Sequence, residues 1–193
     1  MNVQLISLIF IAYLIGSIPF GLILSRLKGV DIRSQGSGNI GATNVFRVMG
    51  WQWGILVFLL DGLKGYGPTL LAHAITEQSA YIILVGAMTI VGHSLSLFVN
   101  FKGGKGAATG LGVLAAIAPD VFGVVFLTAA ILIYTTPYVA PVSLLCSLLA
   151  PILLYVFGYQ LSYVGVVSAI VVIIFIRHKD NIKRLLRGEE NRF

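Results

Sequence analysis

The chain has 193 residues, 58% of them hydrophobic and 10% charged, with a mean hydropathy of +0.95. Ordinary soluble domains carry about a quarter charged residues, so this composition excludes a chain whose whole surface meets water and makes lipid its main solvent. Thirteen Lys and Arg against seven Asp and Glu give a net charge of +6. With no soluble module to carry a basic stripe, nucleic acid is excluded as a partner, leaving a membrane surface or an anionic substrate.

In chain order, the first apolar stretch is Val3–Leu24, with no Lys or Arg before it. A cleaved signal needs a basic leading region, so this reads as a retained span. Trp51–His73 and Ala80–Val99 are each long enough for a bilayer, which asks for about 20 residues. Beyond Ala107 the chain is apolar to Ile176, broken at Pro119–Asp120, at Pro137 and Pro141, and at Gly158–Tyr159–Gln160. Asp120 is also suited to cap the helix that follows. The cuts leave Ala107–Ala118, Val121–Thr136, Val142–Phe157 and Ser162–Ile176 as four short spans. Merged in pairs they would be about thirty residues each, longer than a bilayer needs. The expectation is an all-α polytopic membrane protein, one domain over residues 1–193, with seven transmembrane helices and five as the alternative. Cys146, the only cysteine, lies in an apolar run and reads as a packed hydrophobe.

All thirteen Lys and Arg fall in Arg26–Lys64, Lys102–Lys105 and Arg177–Arg192. The positive-inside rule then predicts cytoplasmic loops at 25–50, 100–106 and 137–141 and a cytoplasmic tail at 177–193, with the N-terminus outside. Either odd number of spans satisfies this.

The first basic loop, RSQGSGNIGATNVFRVMG from Arg33 to Gly50, offers Ser37, Asn39, Thr43 and Asn44 as neutral hydrogen-bonding groups and Arg47 as a planar cation. The many Asn and Gly with almost no acid favour an anion site over a flexible lipid-facing loop. In the second segment, Gly103, Gly104, Lys105 and Gly106 stand directly before an apolar helix. A helix N-terminus has unpaired N–H groups and partial positive charge, so phosphate binds there readily. The alternative is a tight turn whose Lys102 and Lys105 snorkel to lipid phosphates. A Walker A loop is excluded, because Gly106 follows the lysine where Ser or Thr is required. In the third segment, from Arg177, a helix would align His178, Asn181 and Leu185 on one face; the residues beyond read mostly as an anchor. Asp61 and Lys64, three apart inside a span, are a functional candidate or, as preferred, a structural ion pair. His93 reads as a hydrogen-bonded helix-end histidine. Gly50/Gly54 and Gly106/Gly110 suggest close helix packing.

Together SGNIGATNVFR (Ser37–Arg47), VGHS…FKGGKGAATG (Val91–Gly110), RHKDNIKRLLRGEE (Arg177–Glu190) and DGLKG (Asp61–Gly65) resemble the bacterial membrane-embedded acyl-phosphate:glycerol-3-phosphate acyltransferases, the PlsY family. The likeness runs over essentially the whole chain. Departures are Leu95-Ser96 where the family commonly has Phe-Pro, and Ser143, which matches the family's later serine only loosely. The resemblance implies transfer of a fatty acyl group from acyl phosphate to the 1-hydroxyl of glycerol 3-phosphate, giving lysophosphatidic acid and phosphate for phospholipid synthesis at the bacterial inner membrane. It implies that Gly103, Gly104, Lys105 and Gly106 hold the donor headgroup. Ser37, Asn39, Thr43, Asn44, Arg47, Ser143, His178 and Asn181 would surround glycerol 3-phosphate, with Lys105, Arg47 and His178 nearest the chemistry. No metal or cofactor is implied; membrane lipid is the further partner, and the sequence leaves the oligomeric state open, a monomer being compatible with it. The acyl-CoA signature His-x4-Asp is absent, since Gln78, Phe98 and Lys183 stand five residues after His73, His93 and His178. A transporter or channel for a phosphorylated small molecule would share the basic loops, but asks for polar span centres and an inverted repeat, neither of which the sequence has.

Overall fold

The computed structural model describes residues 3–192, all of whose regular structure is helical. The first apolar stretch is two helices, α1 (Val3–Ser17) and α2 (Phe20–Leu27). Pro19 lacks an N–H and disfavours a helical Ile18, so the helix breaks between them. The carbonyls exposed by the break are taken up by distant side chains. Ser96 Oγ donates to the Ser17 carbonyl at 2.5 Å and Lys64 Nζ to the Ile18 carbonyl at 2.9 Å.

A loop with one 3-10 turn, Ile32–Ser34, leads to α3 (Ala42–Met49) and, after Gly50, to α4 (Trp51–Ile75). Then come α5 (Ser79–Ser94), α6 (Ala107–Ile117), α7 (Pro119–Thr135), α8 (Val139–Val156), α9 (Leu161–Arg177) and α10 (Lys179–Leu186). The breaks at Pro119, Pro137 and Gly158 fall where the sequence places them. Two local expectations change. Ala118, not Asp120, caps α7; Asp120 lies in the first turn and accepts from the Val121 N–H at 2.7 Å and the Tyr159 hydroxyl at 2.5 Å. The tail's helix begins only at Lys179, leaving His178 at the junction where α9 and α10 meet with a bend of 59°.

Four helical segments are long and apolar enough to cross a membrane: Val3–Leu27, Trp51–Ile75, Ser79–Val99 and Val139–Val156, with the bent α9–α10 pair as a fifth. The 11 residues of α6 reach about 16 Å at 1.5 Å per residue, half of a roughly 30 Å hydrocarbon core. Phe10, Leu59, Leu63, Leu127, Ile152 and Val172 are exposed on the outside of the bundle, where lipid is the natural solvent.

Helix α5 is the central post, packed against α1, α4, α6 and α9, and it buries Ile82, Ile83, Val85, Ala87 and Ile90. Of the glycines singled out from the sequence, Gly54 of α4 does sit at a close approach, since a Cβ there would run into Phe46 of α3, while the contacts with a neighbouring helix's carbonyls use others. A Cβ on Gly65 of α4 would run into the Thr109 carbonyl, and one on Gly112 of α6 into the Gly62 carbonyl, so α4 and α6 meet backbone to backbone. Around Gly50 there is open space, and Gly110 makes only ordinary contact with Ile90.

The connections sort into two ends. Ser79 Oγ bonds to the Gln160 and Ser162 side chains, and Tyr159 reaches Asp120, so the turns before α5, α7 and α9 gather at one end. The basic segments and the α7–α8 connection gather at the other, where the Arg192 guanidinium lies 5.9 Å from the centre of the Tyr138 ring.

Candidate active site

The first basic loop is knitted by one buried amide. Asn44, in the first turn of α3, accepts the Ser37 N–H at 2.8 Å through Oδ1. Its Nδ2 donates to the carbonyls of Ile32 at 3.2 Å and Gln35 at 3.0 Å. Asn39 Oδ1 accepts the Gly41 N–H at 2.9 Å and shapes the entry to α3. Asn44 therefore works for the loop, which in turn presents Ser37, Thr43 and Arg47.

The glycine-rich loop ends on Gly106, which takes φ +88° and occupies the cap position of α6 with no side-chain cap. A left-handed residue there suits glycine alone. The first N–H groups of α6 have no intrahelical acceptor, and Gly106, Ala107 and Ala108 line the cavity described below. The local structure is that of an anion seat at a helix start.

At the α9–α10 bend, Nδ1 of His178 lies 2.8 Å from the Ile174 carbonyl. A carbonyl only accepts, so Nδ1 carries the proton and Nε2 keeps its lone pair. Burial, with Lys105 and Arg177 nearby, pushes the His178 pKa down to about 4, against a smaller upward pull from the Ile174 bond. Lys105 Nζ donates to Asn181 Oδ1 at 2.5 Å, Asn181 Nδ2 donates to Glu190 Oε1 at 2.7 Å, and Arg184 Nε meets Glu190 Oε2 at 3.1 Å. Burial first, and the Arg184 charge next, push the Lys105 pKa down to about 8. Arg47 Nε donates to the Arg192 carbonyl at 2.9 Å.

These groups open on one cavity of about 480 Å³. Its polar end is formed by Ser37, Asn39, Thr43, Asn44, Arg47, Lys105, Gly106, Ser143, His178 and Asn181. The rest runs between α5, α6, α7, α8 and α9 and is lined by apolar side chains including Ile90, Leu114, Val125, Ile133, Cys146 and Ile170. Ten of the twelve residues predicted for the site thus meet in one place. Gly103 and Gly104 are not among the lining residues. They lie buried behind Lys105, their carbonyls bonded by Arg177 at 2.7 and 3.2 Å.

Sequence reasoning did not single out Glu190, Asn191 or Arg184. Glu190, its side chain 4% exposed, lines the cavity and joins Asn181 to Arg184, so the tail closes the site as well as anchoring it. An acidic residue kept in a strongly basic tail was the available signal. Asp61 and His93 also reach the cavity wall.

Cationic and amide groups at one end of an apolar cavity, within a bundle of lipid-facing helices, define an integral membrane protein built to hold an anionic head together with an apolar chain. Residues 6–188 match the family described as glycerol-3-phosphate acyltransferase, and the chain belongs to that family. It is 43% identical over 187 residues to the glycerol-3-phosphate acyltransferase of Aquifex aeolicus, covering 96% of this chain and 97% of the relative. With that of Geobacter sulfurreducens it is 42% identical over 184 residues, covering 95% and 94%. Its fold matches crystal structures of PlsY, an integral membrane glycerol 3-phosphate acyltransferase. The glycerol 3-phosphate form gives a TM-score of 0.95 at 42% identity, covering 98% of this chain and 96% of the other. The lysophosphatidic acid form gives 0.93 at 41%, covering 98% and 95%.

Proposed function

We propose that this acyltransferase takes its acyl group from an acyl phosphate and works at the cytoplasmic face of the bacterial inner membrane. The observation that carries the reading is the single cavity with two kinds of wall. Its α6 end offers backbone N–H groups and Lys105 to a phosphate, and its apolar length accommodates a fatty chain. Arg47, Ser37, Thr43 and Asn181 then face the phosphate and hydroxyls of glycerol 3-phosphate, with Ser143 on the opposite wall. The solved relatives in glycerol 3-phosphate and lysophosphatidic acid forms support glycerol 3-phosphate as the acceptor.

An acyl phosphate is already activated, so holding it against the acceptor supplies most of what the reaction needs. The 1-hydroxyl oxygen attacks the acyl carbonyl carbon, the bond from that carbon to the phosphate oxygen breaks, and the departing phosphate takes the hydroxyl proton. Lys105 and the start of α6 stabilise the charge that grows on the leaving phosphate. A His178 held near pKa 4 is a weak base at neutral pH, which favours the phosphate as proton acceptor; His178 orients the substrates instead.

We also favour seven spans, with α6 and α7 crossing as a pair of short helices and the N-terminus outside. The gathering of every basic segment at one end of the bundle supports it. Reporter fusions at Asp120 and Gln160 are expected to read as periplasmic; a cytoplasmic reading at either defeats this topology.

The test of the reaction is purified protein in detergent with acyl phosphate and glycerol 3-phosphate, following phosphate release. No release, with acyl-CoA consumed instead, would overturn the donor. A His178→Gln variant that keeps substantial turnover while His178→Ala loses it supports orientation; loss in both restores the histidine as base.

A further inference from the structure

Three buried side chains beside the cavity have no part in the reaction as written. Asp61 and Lys64 of α4 pair at 2.7 Å, and Lys64 also donates to the Ile18 carbonyl at 2.9 Å, in the break between α1 and α2. Nδ1 of His93, on α5, stands 3.6 Å from the same Asp61 oxygen. The rest of His93 is a seat for the glycine-rich loop. Its carbonyl accepts the Gly104 N–H at 3.0 Å. A Cβ on Gly103 would run into that carbonyl, and one on Gly104 into the Nε2 edge of the ring. Arg177 holds the loop from its other side through both glycine carbonyls.

The two glycines are therefore required by a histidine rather than by a ligand. We infer that Asp61, Lys64 and His93 are positioning residues for the acyl transfer: they fix the seat of Gly103 and Gly104, and with it the height at which Lys105 and the start of α6 meet the donor phosphate. The inference rests on the reading of that loop as the donor site. A misplacement of about 1 Å at such a point costs on the order of a hundredfold in rate. The arrangement also places a registered ion pair where α1, α2, α4 and α5 come together, so the loop's height is tied to the bundle itself.

A double-mutant cycle tests this. Gly104→Ala, His93→Ala and the pair together are purified in detergent, their thermal unfolding is measured, and kcat/KM for acyl phosphate and for glycerol 3-phosphate is determined. Wild-type turnover in the same assay checks the underlying reading first, so a silent wild type sinks the donor assignment and not the seat. Each single variant is expected to lose about ten- to a hundredfold, expressed mainly in the acyl phosphate KM. The double variant should be no worse than the weaker single, because one contact has been removed once. Losses that multiply would show that Gly104 serves the ligand directly and would overturn the inference. So would wild-type kinetics in a folded His93→Ala protein. Should His93→Ala not purify folded, the variant Asp61→Asn/Lys64→Met carries the test: a raised acyl phosphate KM with that for glycerol 3-phosphate held within about twofold supports the seat, and unchanged kinetics overturn it.

Discussion

Two clusters of ionisable side chains stand against the same cavity, one inside the bundle and one at its basic end. In the inner cluster Asp61 and Lys64 are 2.7 Å apart with side chains 3% and 2% exposed, and Lys64 spends its other contact on a backbone carbonyl. One cation answers one carboxylate, so the pair has no charge left over. In the outer cluster Lys105 has Arg47 and Arg184 as cationic neighbours against Glu190 and Asp180, and Lys105 and Arg47 line the open cavity. Its excess is positive and accessible. A buried pair that is complete is architecture, whereas a cluster with charge left over and a cavity beside it is a site. The rule that an ionisable residue in a span is functional by default yields here to a count of partners.

The sharpest way to break this contrast is to remove one member of each cluster. Lys105→Met is expected to lower turnover by about a hundred- to a thousandfold, the usual cost of a lost charge-stabilising donor, while the melting temperature in detergent stays near wild type. Asp61→Asn should do the reverse in emphasis. Leaving Lys64 buried without its counter-ion costs about 3–5 kcal/mol of stability, read as a fall in unfolding midpoint. Asp61→Asn/Lys64→Met should recover most of that stability, since removing a complete buried pair is often close to neutral. A double variant as unstable as the single would contradict the architectural role.

Arg47→Lys keeps the charge and loses the planar fork, and a rise of about tenfold in the glycerol 3-phosphate KM is expected with kcat little changed. The pH profile gives a further test. With its pKa lowered to about 8, Lys105 is protonated below that pH and loses its charge as pH rises through it. Activity should decline above about pH 8, and Lys105→Arg should remove that alkaline limb. The smallest effect belongs to Ser143→Ala. A neutral hydroxyl on the cavity wall contributes about 1 kcal/mol at most, so a loss under about fivefold in kcat/KM is the expected result.

Much of this arrangement is legible in the sequence, and the parts that are not have physical reasons. The breaks at Pro119, Pro137 and Gly158 could be placed because proline and glycine act locally on the backbone. The break at Pro19 is not legible locally, because its stabilisation comes from Ser96 and Lys64, far along the chain. Asn44 and Asn181 both read as ligands by residue type, yet Asn44 is bonded to the backbone of its own loop, whereas Asn181 is bonded to the cavity-lining side chains of Lys105 and Glu190. Only the fold tells the two apart. The freedom that glycine gives points Gly103 and Gly104 toward an anion, whereas their neighbour in the fold is His93. Glu190 went unnoticed because charge counting treats a basic tail as uniform, and the contact that matters joins it to Asn181 and Arg184.

The grip of Arg47 on the Arg192 carbonyl has a practical side. A protease that clips the chain after Gly188 would leave the ten described α-helices untouched and still remove Glu190 and Asn191 from the cavity lining. Such a preparation would pass every check of fold and size at gel resolution while being chemically impaired. Intact mass and activity are therefore best measured on the same sample, and a purification tag belongs at the end of the chain away from this latch.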